Sequence, residues 1–416
     1  MSYFLLPKVY SKIYKIIEYN EEPENATEND ISKSLYSYLL NIKSKIDEYS
    51  QWDVIKKYTN PYEYIHTMVS SSRNSVCKYK PISRSYFKMI EIVNTFHLLE
   101  TFSPDYPTAA PELYLCPPPP GLSPRAPSPE TGAGFRSFHL AEGPGGFIEA
   151  IANMRRNPRD VYIGMTLIDD KNENVPGWKK SRAFLAKNPN IIIERGADGT
   201  GNILSLENLN YCCENYGSSM DFITGDGGFD FSLNFNEQEK VIIPLLFAQL
   251  CYAIIMQKRG GTFILKIFDC FMNSTVDIIY ILCAFYKKVY IIKPQTSRYA
   301  NSERYVVCMG FLHSTNHDFV EYFRRAFVDM LHAESIKKNQ IIPRFLNCKI
   351  QYLFIKRLEE CNSVIGKQQL ENIYNTINLL ENKHKNERIE YMKKSNIQRC
   401  IDWCIENNMP YNQCMD

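Results

Sequence analysis

No stretch of this sequence is long and apolar enough for an ordinary bilayer span. The longest, VIIPLLFAQLCYAIIM at residues 241–256, holds Pro244 and Gln249 and falls short of the ~20 residues a span needs. It is expected as a buried helix leading into the next strand, with no membrane partner. An excess of one charge is missing too. The 48 Lys and Arg against 46 Asp and Glu leave a net +2, which neither advertises nor opposes nucleic-acid binding, because a basic stripe can hide in a balanced total. The 13 cysteines lack the paired short spacings of a zinc site. Cys400 and Cys404 lie one helical turn apart, but no second pair or nearby histidine completes a metal shell, and no acidic or histidine cluster points to a catalytic cation. An odd cysteine count with no signal peptide ahead of it fits a reducing, intracellular compartment, cytoplasmic or nuclear.

What is present suits a large globular core: 416 residues, 44% hydrophobic, enough for two or three domains. Residues 1–80 carry helical-period patterns such as LLPKVYSKIYKII, separated by YNEEPENATEND, which reads as a loop. Residues 102–134 hold ten of the 22 prolines, including Pro117 to Pro120, and read as a long surface insertion. From 135 onward strand and helix phrases alternate: FRSFHL, FIEAIANMRRN, DVYIGMTL, NIIIERG, DFITGD, TFILKIF, KKVYIIK and RYVVCMGF. That alternation predicts an α/β fold, a Rossmann-like, doubly wound and mostly parallel sheet, whose ligands bind beyond the carboxyl ends of the strands. After residue 316 mixed-sign amphipathic patterns predict a helical C-terminal region, 316–416, with solvated charged faces.

Five local phrases carry the chemistry: SRSYFKMIEI around Lys88, FHLAEGPGGF at 138–147, DFITGDGGF around Asp226, GGTFILKIF around Lys266 and KPQTSRYANSERYVVCMGF around Glu303. A glycine-rich turn between strand and helix lets the backbone approach a ligand closely. Pro144 and the paired glycines after it depart from the G-x-G-x-x-G of a dinucleotide site. Taken singly, the four charged residues have bland explanations: a surface lysine, a turn aspartate, a salt-bridged strand-end lysine and a loop glutamate.

In order and context these phrases, over roughly residues 80–315, resemble the FtsJ-like (RrmJ-like) 2'-O-ribose RNA methyltransferases, a class I methyltransferase fold. The resemblance implies S-adenosylmethionine as cofactor and Lys88, Asp226, Lys266 and Glu303 as a catalytic tetrad. It places the methionine end of the cofactor against Gly143, Pro144, Gly145, Gly146 and Phe147, with Asp226 also near the methyl donor. Where such enzymes commonly hold the adenosine by an acidic residue after the second strand, this chain has Thr166, and carboxylates follow only at Asp169 and Asp170. Asp198, in RGADGTGN, is the candidate for the adenine end, with a plain turn former as the equal alternative.

A ribose hydroxyl is a poor nucleophile and must lose its proton as it attacks. Lys266 is the residue assigned to that task, as base or as a charge that stabilises the developing alkoxide. Its apolar neighbours Phe263, Ile264, Leu265, Ile267 and Phe268 would strip water from the amine, while Asp226 and Glu303 would hold its charge. Lys88 is expected to orient the target ribose or to tune Lys266. The D-G-G-F and G-M-T-L phrases look more like the mRNA cap enzymes of eukaryotes and large DNA viruses than the ribosomal branch, so capped mRNA is the first expected substrate and other capping subunits are possible partners. Ribosomal or transfer RNA, or a non-catalytic RNA-binding role, are the alternatives. The Tyr-, Asn-, Ile- and Lys-rich composition is compatible with an A+T-rich, viral genome. Tyr106, Tyr114, Phe229, Phe231 and Tyr299 are aromatic rings that could stack on a base, though core packing is the better default for an aromatic taken at random, and none is assigned to the cap.

Overall fold

The computed structural model describes residues 3–9, 12–23, 31–69, 74–100, 134–169, 171–172, 175, 177–228, 237–335, 341–382 and 385–412. The proline-rich segment, save Gly134, therefore lies outside the described residues, as do Asp170, Phe229 and Phe231.

The chain opens with strands β1 (Tyr3–Leu5) and β2 (Ile17–Pro23), followed by helices α1 (Lys33–Ser44), α2 (Trp52–Thr59) and α3 (Ser85–Phe96). The alternating part runs β3 (Arg136–Leu140), α4 (Gly146–Arg155), β4 (Val161–Met165), α5 (Arg182–Lys187), β5 (Ile191–Glu194), α6 (Leu206–Tyr216) and β6 (Met220–Gly225). It continues through α7 (Gln238–Met256), β7 (Gln257–Ile267), α8 (Asn273–Phe285), β8 (Tyr286–Ile292) and β9 (Arg304–Phe311). The chain ends in α9 (Val320–Ser335), β10 (Ile341–Leu346), α10 (Tyr352–Glu381) and α11 (Lys385–Glu406).

Eight strands form one sheet in the order β1-β8-β9-β7-β6-β3-β4-β5. Strands β3 to β7 pair in parallel, β9 is inserted antiparallel between β7 and β8, and β1 lies antiparallel on the β8 edge. Side chains along a strand point alternately to opposite faces, and here each set enters a different core. Phe138, Ile163, Ile223, Leu265 and Val306 join the core with α7 and α8, whereas Tyr162, Phe222, Ile264 and Tyr305 join the one with α3 and α4. The sheet is thus covered on both faces, which is why its strands read as nearly continuous apolar runs.

Helix α7 has length and apolarity enough for a membrane span, yet 83% of that stretch is buried in the protein. It is the central core helix expected from its sequence. Two expectations are corrected. The start of the chain is not the run of α-helix expected: apart from one 3-10 turn at Ile13–Ile16, its described residues hold the two strands, with Phe4 and Leu6 buried while Tyr3 and Leu5 are exposed, a period of two that suits the sheet edge, and Tyr19–Pro23 of the expected loop belong to β2. The rest of that loop, residues 24–30, lies outside the described residues. Nor is the C-terminal region purely helical, because β10 pairs antiparallel with β2. Both strands are short, β10 contains Pro343, and each is completed only by a partner more than 300 residues away, so neither announces itself locally.

Candidate active site

The glycine turn follows β3 and opens α4. Gly145 has φ +102 at the helix start, and a Cβ on Gly143 would come within 2.6 Å of the Gly177 carbonyl, so the wrap closes only with glycine at both positions. Glu142 sits beneath it. One carboxylate oxygen accepts from the Phe147 and Ile148 amides, satisfying first-turn donors of α4, while its buried Oε2 has no hydrogen-bond partner. Burial first, then the charge of Asp226, pushes the Glu142 carboxyl well up. His139, 3.5 Å from that oxygen, is driven by burial down to about 3 and is neutral.

The loop residues divide in role. Phe147 is fully buried against Tyr305, with ring centroids 6.0 Å apart. Its side chain is core and its amide is taken by Glu142, which corrects the expectation that it contacts a ligand directly. Gly146 is needed for packing, since a Cβ there would meet the hydroxyls of Ser83 and Ser85 at 2.2 Å. Pro144 offers its carbonyl to the Ser181 hydroxyl. Thr166, buried at the end of β4, touches Gly143 through its methyl group and backs onto Gly201. Trp178, missed in the sequence, lies over Gly145 and Gly164, and its buried indole N–H has no partner. Asp198 closes a turn: its Oδ1 accepts from the Thr200 amide (2.8 Å), the Thr200 hydroxyl (2.7 Å) and Asn208 (2.9 Å). Against a burial cost, these bonds hold its carboxyl below the ordinary aspartate value. The turn-former alternative accounts for everything the structure shows of this residue.

The four charged residues come together as two ion pairs. Parallel pairing sets Gly225 of β6 beside Leu265 of β7, so Asp226 and Lys266 emerge from adjacent strand ends. Lys266 donates to the Asp226 backbone carbonyl (2.6 Å) and lies 3.2 Å from its carboxylate. Lys88, from α3, reaches both oxygens of Glu303 (2.7 and 2.9 Å). All four side chains are 11–14% exposed. Although burial opposes it, the charges of Lys88 and Lys266, with hydrogen bonds from Lys88 and Ser297, hold the Glu303 carboxyl at about 2. Tyr305, opposite Lys266 in the β7–β9 register, donates its hydroxyl to Asp226 at 3.3 Å.

A network that sequence reading missed grips the segment 294–303 that carries Glu303. Glu91, one turn after Lys88 on α3, accepts from the Gln295 and Thr296 amides (2.6 and 3.1 Å) and from the Thr296 hydroxyl. Glu63 forms a two-toothed pair with Arg298 (2.8 and 3.1 Å), and Arg84 donates to the Thr296 carbonyl. Lys293 donates to the carbonyls of Asn301 and Glu303. Burial lowers its amine to about 7 despite the nearby Glu303 charge. From the C-terminal region, Gln369 of α10 donates to the Ala300 carbonyl. Behind β7, Asp269 binds Lys43 of α1 and the fully buried Arg304, which also bonds Asn362 of α10. The helical flanks are therefore built into the support of the site.

Tyr299 lies on the same segment, 6.4 Å from the Tyr62 ring, whereas Tyr106, Tyr114, Phe229 and Phe231 fall outside the described residues. The Cys400 thiol rests on the Pro61 carbonyl. Among the described residues no group of three or more His, Cys, Asp or Glu is arranged to hold a metal.

The FtsJ-like methyltransferase family model matches residues 81–311. The chain is similar to the cap-specific mRNA (nucleoside-2'-O-)-methyltransferase 1 of Trypanosoma brucei brucei, 29% identical over 263 residues, 62% of this chain and 68% of the relative. To the protein of the same name from Trypanosoma cruzi it is 34% identical over 234 residues, 55% of this chain and 61% of the relative. To the cap-specific mRNA (nucleoside-2'-O-)-methyltransferase 2 of Pongo abelii it is 30% identical over 276 residues, 64% of this chain and 34% of that protein. The matches thus span between a third and about two thirds of each relative's own length.

Proposed function

The chain belongs to the FtsJ-like methyltransferase family, and from that premise we propose that it methylates the ribose 2'-hydroxyl of an RNA, with the first transcribed nucleotide of capped mRNA as substrate. The observation that carries the reading is the meeting of Lys88, Asp226, Lys266 and Glu303 in two ion pairs beside the glycine turn. The names of the three relatives support the choice of capped mRNA.

The residues around the turn fit S-adenosylmethionine. The wrap excludes a Cβ at Gly143 and Gly145, and two buried polar atoms beside it, Glu142 Oε2 and Trp178 Nε1, lack partners. Gly143, Gly145, Thr166 and Trp178 would hold the cofactor, which when bound supplies an electrophilic methyl group on sulfur.

The chain's own groups position the ribose and stabilise the charge that develops on its oxygen. An ammonium has three N–H directions; one on Lys266 goes to the Asp226 carbonyl, with the Asp226 carboxylate 3.2 Å away as its counter-charge, which leaves donor capacity for a substrate oxygen. A cation there stabilises the oxygen as negative charge develops on it, in a site largely closed to water. Lys88 and Glu303 neutralise each other and fix the far wall. The requirement is proximity and in-line approach, which fixed pairs deliver by removing freedom before the reaction.

The test is transfer of labelled methyl from S-adenosylmethionine to short RNAs identical except for a methylated-guanosine cap, with the product mapped to its atom. Label at the 2'-oxygen of the first nucleotide, on capped RNA only, supports the proposal. Equal label on uncapped RNA would move the substrate to ribosomal or transfer RNA. No label on any RNA, with or without added capping subunits, would leave a non-catalytic RNA-binding role.

A further inference from the structure

A cleft of about 380 Å³ is lined by residues of α10 and α11 together with Tyr299. Its volume falls within the range of small-ligand pockets, about 300–1,000 Å³. We propose that it holds an unpaired nucleotide of the RNA strand close to the one whose ribose is methylated. The proposal rests on the RNA reading above, and the α10 and α11 residues that build it lie outside the family-matched 81–311.

The lining has the three chemistries a single-stranded nucleotide requires. Stacking surface comes from the partly buried Tyr299 and from Tyr391, a residue 75% exposed; a ring as open as that of Tyr391 carries no core-packing role. Base–aromatic stacking contributes ~1–3 kcal/mol per base and tolerates any sequence. Hydrogen-bonding edges come from Asn372 and Asn396. Each gives an amide N–H to a backbone carbonyl of the 58–60 segment, which fixes its plane and leaves its amide oxygen as an acceptor for an exocyclic amino group. Positive charge comes from Arg399, which is exposed and makes no hydrogen bond or ion pair with another described residue. A guanidinium free of partners is suited to a phosphate.

Position links the cleft to the tetrad. Ser297 donates to Glu303 at 2.8 Å, and Tyr299 follows two residues later, a separation of at most ~7 Å along the chain. A strand whose ribose lies at Glu303 therefore has its neighbours within reach of Tyr299. The Glu63–Arg298 pair, which adjoins Tyr299 in sequence, keeps the two places in fixed relation.

The experiment is photocrosslinking of a short capped RNA carrying 4-thiouridine in its first nucleotides, with S-adenosylhomocysteine present so that binding is read without transfer. Crosslinks are expected on the peptides bearing Tyr299 or Tyr391. In a separate titration, Arg399→Glu should weaken binding of the same RNA at least fivefold and reduce the slope of log affinity against log salt by about 0.7, the value for one lost phosphate contact on a single strand. Tyr391→Ala, at an exposed position where folding is not at stake, should remove the crosslink at that peptide. Crosslinks confined to other segments, or a salt slope unchanged in Arg399→Glu, would overturn the cleft assignment. Failure of methyl transfer to every RNA would instead overturn the functional reading, since the crosslinking result does not depend on turnover.

Discussion

Replacing Glu63 by glutamine asks whether the segment bearing Glu303 is held by charge. The Glu63 side chain is 1% exposed and accepts from Asn60 (2.7 Å), Thr67 (2.9 Å) and two nitrogens of Arg298, with Arg84 at 3.8 Å. Burial pushes its carboxyl up, but Arg298 and Arg84 outweigh that and hold it at about 2 instead of 4.5. At ~1.4 kcal/mol per pH unit this difference amounts to roughly 3 kcal/mol. Both arginines are more than a quarter exposed, so water replaces part of what the variant loses, and about 2 kcal/mol is the expected cost. The unfolded carboxyl takes up its proton near 4.5 and the folded one only near 2. The stabilisation is therefore complete above the first value and is lost as pH falls toward the second. Urea unfolding should show Glu63→Gln less stable than wild type by about 2 kcal/mol at neutral pH, with the gap closing through the acid range. Glu303, also held at about 2, weakens both proteins alike and drops out of the difference. A gap independent of pH would refute the electrostatic account and leave only lost packing.

Three further outcomes are expected. Lys266→Ala should reduce methyl transfer at least ~10²-fold while calorimetric affinity for S-adenosylmethionine stays within about twofold; comparable transfer by the variant would remove Lys266 from the reaction. Trp178→Ala removes the ring that lies on Gly145 and Gly164, so unfolding should show a loss of roughly 3 kcal/mol with weaker cofactor binding, and Trp178→Phe should restore most of both. Gly201→Ala places a Cβ at φ +65 only 2.2 Å from the Thr166 carbonyl oxygen. A stability loss above ~2 kcal/mol is expected, and an unchanged denaturation midpoint would mean that the turn relaxes freely.

The parts of the molecule legible in sequence are those whose chemistry is local. A glycine turn must be glycine because of its own backbone angles and close contacts, and a strand buried on both faces must be apolar along its length. The turn at 143–146 and the central strands β3, β4, β6, β7 and β9 were readable for that reason. Glu63 and Glu91 were not. An acid in a short apolar helix looks like surface charge until the chain that returns more than 200 residues later places the amides of Gln295 and Thr296 or the guanidinium of Arg298 against it. Strand β1 was hidden likewise: three residues cannot show a period of two convincingly, and its register is set by Tyr290–Ile292 at the other end of the fold. Asp198 is of another kind, since a turn former and a ligand carboxylate share one local sequence; the hydrogen bonds from Thr200 and Asn208 show the turn-forming role.

The charge balance of the site bears on how it would hold RNA. Lys88 with Glu303 and Lys266 with Asp226 sum to zero, and the whole chain carries only +2. Two neutralised pairs add little long-range field of their own with which to gather a polyanion, whatever basic surface lies elsewhere on the chain. For a ribose 2'-hydroxyl to reach Lys266, the strand would then be held by contacts beyond the tetrad, through stacking, hydrogen bonds and phosphate pairing. That division has a chemical advantage. A strongly positive centre would grip phosphates in the ground state, whereas two internally neutralised pairs leave Lys266 with donor capacity that binds most strongly when the oxygen becomes charged, which is the interaction that accelerates transfer.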